Sequence, residues 1–232
     1  MAKAMWKAGT FEYPIPAVMV SCGDMEKSNI ITVAWTGILS SDPATVYISV
    51  RPSRYSYEII KETKEFVVNL TTEALARATD WCGVRSGRDV DKWKEMGLTR
   101  GKSETLQYSP CIKESPVNIE CRVVSEQPLG SHTLFLAEVV NVNVDDRYMD
   151  ENGRFDLNSS GLTTYSHGEY FELGKKLGRF GYSVNKNAKP HEKTRSADTS
   201  KSTDASKSAN ASKSANTSKN ADKVKRANTS KS

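Results

Sequence analysis

Two long runs of alternating side chains, separated by a short turn, constrain the fold of this chain more than any other feature. The runs are Val117–Glu126 and His132–Val144, and the sequence PLGS lies between them. The first run alternates with the period of a β-strand. Its apolar positions are Val117, Ile119, Cys121 and Val123, and its polar positions are Asn118, Glu120 and Arg122. We expect an antiparallel hairpin with one buried face and a second face that meets water or a partner subunit.

Shorter segments predict further strands and three helices. Runs rich in β-branched and apolar residues predict strands at Ala17–Cys22, Ile30–Trp35, Thr45–Val50 and Glu65–Leu70. Helical spacing predicts helices over Arg54–Thr63, with Ser53 as its N-cap, over Glu73–Trp81, and over Asp89–Met96, which ends at Gly97. Long strands with helices inserted early indicate a mainly β fold, a barrel with peripheral helices.

The composition changes abruptly near Pro190 and predicts two regions. Residues 190–232 contain no Phe, Tyr, Trp, Leu, Ile or Met, and their ten Lys and Arg against four Asp and Glu give a net charge of +6. We expect a folded domain over residues 1–189 and a disordered, low-complexity tail of Lys, Ser, Ala and Asn over residues 190–232. The tail is either a flexible solubilising segment or an arm that contacts anionic surfaces weakly.

The charge and the cysteines of the remaining 189 residues exclude several functions. The whole chain carries +5, so this part carries −1, which does not indicate nucleic acid as a specific partner. The four cysteines form no CxxC pair and the chain has three histidines, so no metal site is predicted. No apolar stretch predicts an export signal or a membrane span, and we expect a cytoplasmic protein with buried, reduced thiols.

Small polar and basic residues at the ends of predicted elements are the candidates for chemistry. Arg51 and Ser53 precede the predicted helix at 54–63, and a helix N-terminus with an arginine beside it is an anion site. The segment CGVRSGRDVDKW, residues 82–93, adds small residues that allow close backbone approach and a further lysine. No sequence pattern of a hydrolase, a P-loop or a dinucleotide-binding GxGxxG is present.

Four blocks of the sequence, in order, resemble the flavin reductase-like family of FMN-binding split β-barrels, which includes the flavoredoxins. Residues 29–70 resemble the opening of the family, and CGVRSGRDVDKW resembles its signature CG-x-x-SG-x-x-x-DK-[FW]. PLGSHTLFLAEVVNV and TTYSHGEYFELGKKLGRFGYSV resemble its third block and its usual close. The resemblance runs from about Tyr13 to Val184 and has no counterpart for the tail.

The resemblance implies a homodimer with FMN at the interface, held mainly by one subunit. By position it implies that the isoalloxazine edge or ribityl chain is contacted by Asn29, Thr32, Ala34 and Trp35. It implies a phosphate end formed by Ser49, Val50, Arg51, Ser53, Tyr55 and Ser56, completed by Ser86, Gly87 and Lys92. His132 matches a histidine near the flavin and the nicotinamide in several reductases, and Tyr165 and Tyr170 are expected to approach from the partner chain.

The sequence is also compatible with simpler roles for three of these residues and with more than one function. Trp35 could be a core residue, His132 an exposed turn residue and Lys92 a solvated helix residue. The resemblance implies an oxidoreductase that passes electrons from NAD(P)H through FMN to an acceptor. The alternatives are a flavoredoxin-type carrier that holds FMN tightly and serves a redox protein, and a flavin-binding protein without turnover.

Overall fold

Seven strands pair into one antiparallel sheet in the computed structural model, which describes residues 1–184. The strands are β1 (Val18–Gly23), β2 (Ser28–Val33), β3 (Thr36–Ser41), β4 (Ala44–Val50), β5 (Glu65–Asn69), β6 (Arg100–Gly101), β7 (Cys111–Ile112), β8 (Val117–Leu129), β9 (His132–Val144), β10 (Thr163–Ser166) and β11 (Glu169–Glu172). The α-helices are α1 (Tyr55–Thr63), α2 (Ala76–Val84) and α3 (Lys92–Met96). Short 3-10 turns lie at Glu73–Leu75, Asp146–Tyr148, Leu157–Ser160 and Tyr182–Val184.

The described residues fall into two units that divide after Leu177. The first unit, residues 1–177, contains the seven-stranded sheet and the three helices. Of the second unit the structure describes residues 178–184, with the last 3-10 turn. The predicted boundary after residue 189 and the predicted tail at 190–232 lie outside the described residues.

The predicted hairpin is confirmed. β8 and β9 pair from Leu129 opposite His132 to Val117 opposite Val144, and Gly130 takes a positive φ of 66° in the turn between them. In the large sheet the strand order is β2-β1-β5-β8-β9-β4-β3, so the hairpin supplies two of the inner strands. The hairpin pairs with β5 on the β8 side and with β4 on the β9 side, although both strands lie far from it in the chain.

The sheet curls around a shared apolar core. Ile31 of β2 and Ile48 of β4 lie near opposite margins of the strand order, yet both belong to one buried cluster with Phe66 and Phe135 of the inner strands. Fully burying such a side chain stabilises a fold by roughly 1.5–3 kcal/mol. Ile60 of α1 joins the same cluster, so this helix packs on the barrel interior.

The outer face of β1 and β2 is covered by the other two helices. Met19 and Ile30 pack there against Leu75, Cys82 of α2 and Trp93 of α3 in a second buried cluster. Because α2 and α3 are held against β2, the loop between them is placed beside the start of that strand, at Asn29.

The polar face of β8 differs from the expectation that it meets water or a partner subunit. Arg122 is exposed, but Asn118 and Glu120 are buried under the segment that leads into β7. The Glu120 carboxylate accepts hydrogen bonds from the backbone N–H groups of Glu104 and Thr105, each at 2.8 Å, and from the Thr105 hydroxyl at 2.6 Å. The prediction of a solvent-facing or partner-facing position was wrong for Asn118 and Glu120. The loop N–H groups of Glu104 and Thr105 are not paired in the sheet, and the buried Glu120 carboxylate accepts their hydrogen bonds.

This buried carboxylate predicts a dependence of stability on pH. Burial alone would raise the pKa of Glu120, but hydrogen bonds from Thr105 and Glu104 outweigh it and hold the pKa below the ordinary 4.5. Its stabilising contribution is therefore complete above pH 4.5 and is lost as the pH falls through the folded-state value. Glu120→Gln should lower the free energy of unfolding at neutral pH by about 1–3 kcal/mol and weaken the acid dependence.

Urea unfolding at neutral and acidic pH measures this effect. Glu95→Gln removes an exposed carboxylate and serves as the matched control. An acid dependence as steep in Glu120→Gln as in the unaltered protein would contradict the assignment.

Several element boundaries differ from their predictions, among them those of α2, which runs from Ala76 to Val84 and not from Glu73 to Trp81. β2 ends at Val33, so Ala34 and Trp35 form a bend, and the edge strand β3 that follows was not predicted. The N-cap of α1 is Arg54 in an extended conformation, not Ser53, and no side chain within residues 1–184 caps this helix. The predicted end of α3 is confirmed, because Gly97 is its left-handed C-cap with a φ of 62°.

The four cysteines are buried free thiols, as the sequence predicted. Burial raises the pKa of the Cys22 thiol to about 12 despite hydrogen bonds and the charge of Lys92, so the thiol stays protonated. In residues 1–184 no helix combines the length and apolar character needed to cross a membrane.

Candidate functional site

Two adjoining cavities lie where β2, β4 and α2 end and α1 and β9 begin. The tryptophan cavity, named for Trp35, has a volume of about 390 Å³. The arginine cavity, named for Arg54, Arg85 and Arg88, has a volume of about 200 Å³. Ile31, Arg54 and Gly83 line both, so the two cavities meet.

All fourteen residues that the sequence singled out line one of these two cavities. The tryptophan cavity holds Thr32, Ala34, Trp35, Ser49, Val50, Arg51 and His132. The arginine cavity holds Asn29, Ser53, Tyr55, Ser56, Ser86, Gly87 and Lys92. The structure thus brings together residues that lie up to a hundred positions apart in the chain.

The grouping of these residues differs from the expected one. The resemblance grouped Asn29 with Thr32, Ala34 and Trp35, whereas in the structure it lines the arginine cavity with Ser56. The resemblance grouped Ser49, Val50 and Arg51 with Ser53, Tyr55 and Ser56, whereas in the structure they line the tryptophan cavity with Trp35. The reason is the bend after β2: the Ser49 N–H donates to the Trp35 carbonyl at 2.8 Å, which holds the end of β4 beside Trp35.

Trp35 and His132 form one wall of the tryptophan cavity. Their rings stack with centroids 6.1 Å apart and planes 13° apart, and 43% of Trp35 is exposed, so it is not a core residue. Partial burial, with Arg51 and Arg54 nearby, lowers the pKa of His132 below 6.5. The imidazole is therefore neutral at neutral pH, and it accepts or donates a hydrogen bond at 2.9 Å with the Ser131 hydroxyl through Nδ1.

Asp80 of α2 and Tyr170 of β11 form the opposite side of this cavity. The Tyr170 hydroxyl donates to Asp80 at 3.4 Å, and burial together with this carboxylate raises the pKa of Tyr170 to about 12. Tyr165 packs edge-on against Tyr170 with centroids 5.4 Å apart. Both tyrosines line the cavity of their own chain, so a partner chain is not needed to bring them there.

The floor of the arginine cavity is built around Asn29. This buried amide donates to the Ser56 hydroxyl at 2.8 Å, which ties β2 to the first turn of α1. A Cβ at Gly87 would lie 2.1 Å from Asn29 Oδ1 and 2.6 Å from Tyr55 Cδ1. Gly87 therefore leaves the backbone room to approach Asn29, and the loop after α2 closes over the cavity.

Lys92 is a buried cation beside this cavity and not a solvated helix residue. Only 3% of it is exposed, and its ammonium donates to the carbonyls of Ile30 at 2.7 Å and Cys82 at 2.6 Å. Burial, with a smaller contribution from Arg54, lowers its pKa to about 8, while Cys82 and Cys22 oppose the shift. The side chain is protonated at neutral pH and retains a third N–H.

Three arginines that the sequence prediction did not include complete the arginine cavity. Arg54, Arg85 and Arg88 line it, and within residues 1–184 none of them lies within 4 Å of a carboxylate. The Arg88 guanidinium donates to the Ser53 carbonyl at 3.1 Å and lies 5.5 Å from the Tyr55 ring centroid. The sequence carried a signal for all three, because Arg54 opens the predicted helix next to Ser53, and Arg85 and Arg88 lie within CGVRSGRDVDKW. It carried none for Asp80, because only the packing of α2 places this residue at the tryptophan cavity.

Comparison with known proteins identifies the fold and the family. The model of the flavin reductase like domain matches residues 10–174. Flavoredoxin of Desulfovibrio vulgaris (Miyazaki F) superposes with a TM-score of 0.71 and 30% identity, over 77% of this chain and 97% of that one. An uncharacterised protein of Archaeoglobus fulgidus is 35% identical over 159 residues, which are 68% of this chain and 88% of the relative. A more distant relative, the NADPH-flavin oxidoreductase of Streptomyces viridifaciens, is 25% identical over 57% of this chain and 68% of its own.

The fold is a split β-barrel of the kind found in flavin-binding proteins, as the resemblance in the sequence implied. More narrowly, the chain belongs to the flavin reductase-like domain family.

Proposed function

We propose that this protein binds FMN across the two cavities and passes electrons through it from NAD(P)H to an acceptor. The observation that supports the proposal most strongly is that the arginine cavity and the tryptophan cavity meet at Arg54. A cationic cavity suited to a phosphate opens there into a larger cavity with an aromatic wall. FMN has the same two parts, a phosphate and an aromatic ring, joined by a ribityl chain.

The donors of the arginine cavity fit a phosphate. Arg54, Arg85 and Arg88 supply guanidinium groups without carboxylate partners in the described residues, and Lys92 supplies an ammonium. The first turn of α1 adds backbone N–H groups that no side chain in residues 1–184 caps. Gly87, where a Cβ would collide with Asn29 and Tyr55, lets the loop after α2 pack closely on the floor of this cavity and so holds Ser86 and Arg88 beside it.

The tryptophan cavity fits a planar ring. Thr32, Ala34 and Ser49 provide a small, mixed polar and apolar lining, and Trp35 with His132 provides a flat aromatic surface. When bound, FMN supplies the redox chemistry and accepts electrons from a reduced nicotinamide. The residues bind and orient the ring: His132 stays neutral and donates or accepts a hydrogen bond, and Trp35 excludes water from one face.

The reductase activity has support from one relative and the carrier activity from another. The Streptomyces viridifaciens relative is an NADPH-flavin oxidoreductase, and a nicotinamide would stack on the face of the flavin ring that Trp35 does not cover. The second candidate function is a flavoredoxin-type electron carrier, since Flavoredoxin of Desulfovibrio vulgaris is 30% identical. In the carrier, FMN is held permanently and a redox protein takes the place of the nicotinamide.

Addition of NADH or NADPH without oxygen separates these two functions. We expect the purified, FMN-loaded protein to lose its visible flavin absorbance within seconds to minutes of adding one nicotinamide, because hydride transfer reduces the flavin. FMN without protein is the control. A yellow protein that only a chemical reductant bleaches is the carrier, and a protein that binds no FMN contradicts both functions.

The expected homodimer and cytoplasmic setting stay part of the proposal. Ile38 and Leu39 on the edge strand β3 are 85% and 54% exposed, and a second copy of the chain would cover them. The free thiols among residues 1–184 suit a reducing compartment.

A further inference from the structure

A groove along α1 lies beside the arginine cavity, and most of its lining is outside the two cavities proposed above to bind FMN. Its volume is about 570 Å³, within the range of small-molecule sites. One wall is a single face of α1, formed by Tyr55, Glu58, Ile59, Glu62 and Thr63. The other walls are the turn between β1 and β2 and the ring of Tyr108. We call it the α1 groove.

The α1 groove and the arginine cavity share two residues. Tyr55 and Arg88 line both, and the Arg88 guanidinium stands 5.5 Å from the centroid of the Tyr55 ring. A phosphate held in the arginine cavity therefore lies at one end of the groove. A second phosphate linked to it would enter the groove past Arg88, where the guanidinium can bind it.

The lining of the α1 groove suits a nucleoside. Glu58 and Glu62 lie on successive turns of α1, and within residues 1–184 no cation lies within 4 Å of either carboxylate. Free carboxylates accept hydrogen bonds from hydroxyl pairs such as those of a ribose. Tyr55 and Tyr108 offer two aromatic faces for a purine. From Tyr55 to Thr63 the helix face extends about 12 Å, long enough for a base and its sugar.

The walls of this groove are held in place before any ligand binds. In the turn between β1 and β2, Asp24 Oδ1 accepts from the backbone N–H groups of Glu26 at 2.9 Å and Lys27 at 2.6 Å. The backbone N–H of Tyr108 donates to the Glu65 carboxylate at 2.9 Å. A cavity with anchored walls requires little reorganisation on binding.

We propose that the α1 groove binds the adenosine half of FAD, including its phosphate, while the flavin ring and the phosphate next to the ribityl chain occupy the tryptophan and arginine cavities. The inference rests on the proposed flavin binding and names FAD as the preferred flavin. The adenosine of a nicotinamide dinucleotide fits less well, since its pyrophosphate would compete with the flavin phosphate for the arginine cavity. Glu58 and Glu62 then determine specificity through the ribose, and Tyr108 stacks on the adenine.

Parallel titrations of the flavin-free, full-length protein with FMN and FAD test this site. We expect FAD to bind at least about tenfold more tightly than FMN, the factor that one hydrogen bond to a charged group contributes. The double variant Glu58→Gln/Glu62→Gln and the single variant Tyr108→Ala should each remove this preference and leave the affinity for FMN unchanged. Excess adenosine should weaken the binding of FAD and not that of FMN.

Glu95→Gln, an exposed helix carboxylate outside the groove, is the control and should keep the full preference. Equal affinities for the two flavins, or a preference that survives in both variants, would overturn the groove assignment while FMN binding still upholds the proposed function. Failure to bind either flavin would overturn both. If the double variant does not fold, as judged by its thermal melting, Tyr108→Ala carries the same test.

Discussion

Replacing Arg54 by alanine is expected to weaken FMN binding by roughly 30- to 150-fold, since a charge-assisted pair with a phosphate contributes about 2–3 kcal/mol. Arg54 lines both cavities and is the N-cap residue of α1, so its guanidinium and the first-turn N–H groups serve the same anion. Quenching of flavin fluorescence on titration measures the dissociation constant.

The effect should fall on binding and not on folding. The Arg54 side chain is exposed and pairs with no carboxylate in residues 1–184, so the free energy of unfolding should change by less than about 0.5 kcal/mol. Arg54→Lys keeps the positive charge but loses the planar guanidinium, so its affinity for FMN should lie between that of the unaltered protein and that of Arg54→Ala. Arg77→Ala, on the exposed side of α2 and outside both cavities, is the matched control.

Arg51→Ala sharpens the same test. Arg51 was expected at the phosphate, but it lines only the tryptophan cavity, so its loss should weaken binding less than the loss of Arg54. If the two substitutions have equal effects, or if Arg54→Ala binds FMN normally, the phosphate does not lie in the arginine cavity.

Gly87→Ala should both destabilise the protein and weaken its binding of flavin. The added Cβ would lie 2.1 Å from Asn29 Oδ1 and 2.6 Å from Tyr55 Cδ1, so Asn29 must move and its hydrogen bond to Ser56 is lost. Overpacking of this kind costs about 1–3 kcal/mol. The displaced residues line the arginine cavity, so we expect at least about a tenfold loss of FMN affinity, equivalent to 1.4 kcal/mol.

Thermal unfolding without flavin, together with a titration with FMN, measures the two effects separately. Gly174→Ala is the control, because a Cβ there meets no atom within 4 Å and its φ is not positive. A melting temperature and an affinity that both match the unaltered protein would show that the loop after α2 is not closely packed on Asn29.

Much of the local structure could be predicted because it depends on neighbours in the chain. The alternation in β8 and β9 and the turn at Gly130 define a hairpin by themselves, and Gly97 defines the end of α3. The same local patterns could not show that Glu120 is buried, since the loop residues Glu104 and Thr105 that cover it come from outside the hairpin. Nor could they show the edge strand β3, which exists because β4 pairs with it.

For the candidate site, the residues themselves could be predicted, but their arrangement in space could not. Its residue types, a run of small polar groups and basic residues at element ends, were evident from the sequence and its family resemblance, and all fourteen line the two cavities. Their grouping was not evident, because it depends on the bend at Trp35 and on the closure of the 85–91 loop over Asn29.

Hydrophobic period, turn residues and motif order are local properties of a chain, so the hairpin of β8 and β9, the end of α3, the family and the residue types at the site were evident from the sequence. The packed molecule was needed to show which cavity each residue lines, that Arg54, Arg85, Arg88 and Asp80 line the two cavities as well, and that a groove follows α1 beside them. The physical reason is that a cavity forms between elements: its shape and charge depend on how β2, α1 and α2 pack, which no single segment specifies.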